Sequence, residues 1–141
     1  MDWDPLVEAA SSALENSYAP YSGFKVGAAV LSPESQIFAG CNVENRSFGS
    51  TICAERTAIV NAVAAGVTKL EAVAVITDTD PPAPPCGMCL QVLVEFGRPD
   101  LPILLVNLRG VRVESRLSDF HPHPFKLPKG GLGLRSEDST K

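Results

Sequence analysis

Two short segments hold the side chains with the clearest chemistry, Cys53-Ala54-Glu55 and Pro85-Cys86-Gly87-Met88-Cys89. Cysteine thiolates bind metal ions, and zinc takes four ligands. Three cysteines at one ion leave the fourth position open, which is a catalytic design rather than a structural one. Cys86 and Cys89 are spaced so that both sulfurs can face one ion from the start of a helix, where the dipole favours thiolates. Taken alone, C-x-x-C serves equally as a redox dithiol or as half of a zinc knuckle. Cys53 shifts the balance, because it opens a second helical run. Cys41 competes for the fourth position and would close the site; at the end of an apolar strand it reads instead as a small buried thiol. Glu55 lies two residues beyond Cys53, where its carboxylate can reach over the open position without binding the metal. First-turn glutamates also occur simply because they complement the dipole; beside three cysteines the proton-shuttle role is the stronger reading.

The elements that must position these residues follow from periodicity. Residues 3–18 carry Trp3, Leu6, Val7, Ala10, Ala13 and Leu14 on one helical face, with Asp4 and Pro5 at its start. Residues 24–31 and 36–41 read as a hairpin, 53–65 as a helix stopped by Gly66, and 70–76 as an interior strand. A proline-rich loop follows, then a helix over 87–96 and strands over 103–107 and 111–114. This order predicts an α/β fold, a three-layer α/β/α arrangement with a central mixed sheet of about five strands. The whole chain, 1–141, is expected to be one domain, with 120–141 a Pro/Gly-rich C-terminal tail that wraps a surface or reaches a neighbouring subunit.

The 141 residues carry a formal net charge of -4, with 45% hydrophobic and 20% charged side chains. An acidic chain without a basic stripe has no general attraction for a nucleic-acid backbone. No apolar run reaches membrane-spanning length and no secretory leader is evident, so no membrane partner and a cytoplasmic location, with reduced cysteines, are expected.

Four segments, in order, resemble the cytidine deaminase family of the short homotetrameric type: Tyr21-Ser22-x-Phe24-x-Val26-Gly27-Ala28-Ala29, Gly40-Cys41-Asn42-Val43-Glu44-Asn45, Cys53-Ala54-Glu55-Arg56-Thr57-Ala58, and Pro85-Cys86-Gly87-x-Cys89-x-Gln91. The resemblance implies one zinc ion per chain on Cys53, Cys86 and Cys89, and hydrolytic loss of the C4 amino group from free cytidine or 2'-deoxycytidine, with Glu55 moving the protons. It also implies that Asn42 and Glu44 bind the ribose 3'-hydroxyl and that Phe24 packs on the pyrimidine, although Phe24 also reads as the first core residue of its strand. By the same likeness the Ala54 N–H meets the base carbonyl, Arg56 supports the ligand sulfurs, and Phe125 enters a neighbour's site in a homotetramer. His121 and His123 read as surface or interface residues.

Three positions depart from the family pattern: Arg46 for a small residue, Phe48 for tyrosine, and Leu90 for arginine. Arg46 either replaces the charge missing at position 90 or alters specificity toward another aminopyrimidine nucleoside, such as a blasticidin-like or 5-substituted cytidine. Two weaker alternatives are a nucleic-acid editing module, which the acidic charge disfavours, and a purely structural zinc protein.

Overall fold

A computed structural model describes residues 1–127. Helix α1 (Asp4–Glu15) precedes strands β1 (Val26–Leu31) and β2 (Ile37–Cys41). Helix α2 (Ala54–Ala64), strand β3 (Ala72–Thr77), helix α3 (Gly87–Phe96) and strands β4 (Pro102–Asn107) and β5 (Arg112–Arg116) follow, then one helical turn, α4 (Leu117–Phe120). The strands form one mixed sheet in the order β2-β1-β3-β4-β5, parallel only between β3 and β4.

Alternation along β3 shows how both faces of the sheet are covered. Val73 and Val75 join the core under α2 and α3, with Ile59 and Leu93. Ala72, Ala74 and Ile76 join the core under α1, with Leu6 and Leu14. A strand buried on both faces reads as a continuous apolar run, and this one does. The expected three-layer α/β/α architecture is therefore present.

Two glycines let the helices press onto the strands. A Cβ on Gly27 would lie 2.0 Å from the Ala10 carbonyl oxygen of α1, and one on Gly40 would lie 2.4 Å from the Ala58 nitrogen of α2. Side chains at these positions would lift α1 and α2 off the sheet.

Several boundaries differ from the sequence reading for local reasons. Helix α1 stops at Glu15 rather than 18, because the Asn16 and Ser17 N–H groups turn back to the carbonyls of Ala13 and Leu14. Strand β1 begins at Val26, not Phe24, because Phe24 spends its backbone groups on the side chains of Ser22 and Asn42. Phe24 is consequently exposed and is not the core residue of its strand. Phe120 closes α4, whose first turn is tied by the Arg116 N–H donating to Asp119 at 2.8 Å. Of the expected tail, 128–141 lies outside the described residues. Among the described residues no helix is long and apolar enough to cross a membrane.

Candidate active site

Cys53 and Cys86 are the N-cap residues of α2 and α3, both in extended conformation, and Cys89 lies in the first turn of α3. Neighbouring strands bring the two helix starts together. The three sulfurs lie within 4.8 Å of one another, and Cys53 Sγ is 3.7 Å from Cys86 Sγ. Sulfurs about 2.3 Å from a tetrahedral ion stand about 3.8 Å apart, so the donor set fits a zinc ion in both spacing and chemistry. Cys41, half-buried, is not part of the cluster.

Cys53 and Cys89 are pushed in opposite directions by the hydrogen bond between them. Cys53 is lowered to about 5 by the hydrogen bond from Cys89, with help from Arg56, which outweighs its burial. Cys89 is pushed up by giving that bond and by burial. Arg56 Nη2 donates to Cys53 Sγ at 3.5 Å and to the Thr51 carbonyl at 3.4 Å, while its Nε is buried without a partner. Such a cation offsets thiolate charge.

Glu55, in the first turn of α2, is only 4% exposed. Burial raises its pKa, and the Cys53 charge adds to the effect. A carboxyl held above its usual range exchanges protons closer to neutrality than an ordinary glutamate. Ala54, the first residue of α2, has one of the N–H groups that a helix leaves without an intrahelical partner.

A cavity of about 220 Å³ opens beside the cluster and brings Phe24, Asn42, Glu44, Cys53, Glu55 and Cys86 together. Asn42 and Glu44 both face it, as alternation about an exposed Val43 requires. Asn42 is 7% exposed. Its Oδ1 accepts from the Val26 N–H at 2.9 Å and from the Ser17 hydroxyl, and its Nδ2 donates to the Phe24 carbonyl at 2.7 Å. Glu44 Oε1 accepts from the N–H groups of Tyr21 (2.9 Å) and Ser22 (3.0 Å), and its Oε2 from the Ser22 hydroxyl at 2.5 Å. These bonds, led by that of Ser22, hold the carboxyl below its usual range.

Sequence reasoning missed the rest of the lining: Val26, Thr51, Val75, Thr77, Ala83 and Pro84. It also missed the ties on the proline-rich loop before Cys86. Thr77 Oγ1 accepts from the Ala83 N–H at 3.2 Å, and Asn107 Nδ2 donates to the Thr79 carbonyl at 3.0 Å. Two buried polar residues at strand ends, Thr77 and Asn107, were the available signal.

The remaining expected residues lie outside this cavity. Phe48 is 74% exposed and meets Tyr21 edge-on, with ring centroids 5.7 Å apart, in an adjoining hollow that shares Glu44. Arg46 is exposed, and among the described residues the guanidinium bonded to a cluster sulfur is that of Arg56. Leu90, 8% exposed, belongs to the apolar core under α2 and α3. Phe125 is 71% exposed. His121 Nε2 pairs with Gln91 Oε1 at 3.1 Å, and His123 is exposed.

Comparison with known proteins agrees with this geometry. Residues 2–105 match the model of the cytidine and deoxycytidylate deaminase zinc-binding region. A cytidine deaminase of Sporosarcina psychrophila is 43% identical over 125 residues, covering 89% of this chain and 92% of the relative. The crystal structure of cytidine deaminase from Burkholderia pseudomallei superposes with a TM-score of 0.85 at 46% identity, covering 89% of this chain and 100% of the other. That from Mycobacterium tuberculosis gives 0.78 at 38% identity, covering 90% and 99%.

Proposed function

Since the chain belongs to the cytidine and deoxycytidylate deaminase family and is a hydrolase of that type, we propose that its substrates are free cytidine and 2'-deoxycytidine, converted to uridine or 2'-deoxyuridine plus ammonia. The observation that supports this most directly is a buried carboxyl, Glu55, beside a three-sulfur cluster at an open cavity.

In this reading Cys53, Cys86 and Cys89 hold one zinc ion per chain, which supplies Lewis-acid activation of water at neutral pH. Glu55 takes a proton from water and delivers it to N3 as the water oxygen bonds to C4; it then takes the remaining hydroxyl proton and passes it to the C4 amino group, and the C4–N bond breaks as the C4 carbonyl forms. One water is consumed and one ammonia leaves. The Ala54 N–H donates to the base carbonyl, Phe24 lies against the ring, and Asn42 with Glu44 holds the ribose 3'-hydroxyl. Arg56 steadies the sulfur charge. Phe125, free of the chain's own cavity, completes a neighbour's site in a homotetramer. Phe48, in the hollow that shares Glu44, and the exposed Arg46 tune specificity, while Leu90 leaves Arg56 as the cation at the sulfurs.

A spectroscopic deamination assay across cytidine, deoxycytidine, 5-substituted and blasticidin-like compounds, with zinc content measured on the same samples, tests the reading. The expected result is about one zinc per chain, rapid turnover of the first two compounds, and loss of activity in Glu55→Gln. Zinc-loaded protein that releases no ammonia from cytidine, or a fully active Glu55→Gln, would overturn it.

A further inference from the structure

Ser22 and Ser17 lie outside the reacting centre, yet each fixes one half of the Asn42–Glu44 pair. The Ser22 hydroxyl accepts the Phe24 N–H at 3.0 Å, so its own proton is directed to Glu44 Oε2, at 2.5 Å. With two backbone N–H groups on Oε1, three of the roughly four acceptor positions of the carboxylate are filled. On the other half, the Val26 N–H requires Asn42 Oδ1 rather than Nδ2 to face it, and the Ser17 hydroxyl takes a second place on that oxygen. The Phe24 carbonyl uses one amide hydrogen of Asn42. One N–H of Asn42 and one acceptor position of Glu44 remain, and both residues line the same cavity.

We infer that Ser22, and behind it Ser17, are positioning residues that set the polarity of this pair, so that it takes a sugar hydroxyl that accepts from Asn42 and donates to Glu44. The inference rests on the deaminase reading above. A hydrogen atom, an ether or a phosphate ester at that place cannot do both, because each lacks either the acceptor or the donor. Ser22 sits in the loop after α1, and Ser17 reaches Asn42 because α1 has already ended at Glu15.

The test compares kcat and KM for cytidine and for 3'-deoxycytidine in zinc-loaded wild type, Ser22→Ala, Ser22→Thr and Ser17→Ala. Removing a hydrogen bond to a charged group should lower kcat/KM for cytidine roughly 10-fold in Ser22→Ala, mainly through KM. Ser17→Ala, which loses a neutral bond, should lose about 3-fold. Neither variant should change 3'-deoxycytidine by more than about 2-fold, since the lost contact is not used there. Ser22→Thr, which keeps the hydroxyl, should restore cytidine turnover. Equal losses on both substrates, or no loss on cytidine, overturn the inference while leaving the deaminase reading intact. A zinc-loaded wild type inactive on cytidine refutes that reading, and this inference with it.

Discussion

The two sides of the cavity are built on different principles. The sulfur side rests on two helix starts, where Cys53, Cys86 and Cys89 meet and Glu55 is buried among them. Its groups carry charge and protons, and burial works against their ionised forms. The opposite side, proposed to hold the sugar, comes from loops that cross the ends of β1 and β2. There Asn42 and Glu44 are satisfied almost completely by backbone N–H groups and by serines. One side holds unsatisfied reactivity, and the other holds nearly saturated hydrogen bonding. Functional and structural cost should therefore separate on the first and coincide on the second.

On the proposed function, the largest expected effect comes from removing the zinc. Dialysis against a strong chelator should abolish deamination, and added zinc should restore it, with metal content and ammonia release followed together. Next is Glu55→Gln, expected to lower kcat by roughly 10²–10⁴-fold while zinc content stays the same. Its melting temperature should be equal to or above that of wild type, because a neutral amide replaces a carboxyl that burial disfavours. A marked fall in melting temperature would break the contrast between the two sides.

Asn42→Ala should show the opposite pattern. It strands the Val26 N–H, the Phe24 carbonyl and the Ser17 hydroxyl, at a folding cost of about 1–3 kcal/mol in denaturant titrations. KM for cytidine should rise in the same variant. Smallest is Arg46→Ala. An exposed arginine outside the sulfur cluster should change stability by less than about 0.5 kcal/mol and leave zinc content as it was. A loss of zinc there would show that charge at position 46 does reach the sulfurs.

The sulfur side was legible in the sequence because residue type and short spacing encode it. Cys86 and Cys89 need only a helix start, and Cys53 with Glu55 needs only another. The sheet was legible because Ala72–Thr77 and the paired strands around it carry their burial in their composition. What was not legible depends on distant partners. Ser17 meets Asn42 across 25 positions, and Ser22 meets Glu44 across 22. Serines look alike in a sequence until the chain has folded. The early end of α1 and the late start of β1 have the same origin, since backbone groups there choose side-chain or turn partners over regular ladders. Gly27 and Gly40 stood in the family-like segments without revealing the close helix contacts that require them. The turn α4 was hidden because four residues carry too little periodicity, with Leu117 alone buried.

The bond from the Val26 N–H to Asn42 makes a residue proposed to hold the sugar double as the end piece of β1. On the proposed function, a redesign for a different sugar that starts at Asn42 would weaken the scaffold. The rings of Phe24, Tyr21 and Phe48 are exposed, those of Tyr21 and Phe48 edge-on to each other, and none of these rings bonds the end of a strand. Altered selectivity should thus be easiest to evolve through those rings, with the strand end left untouched.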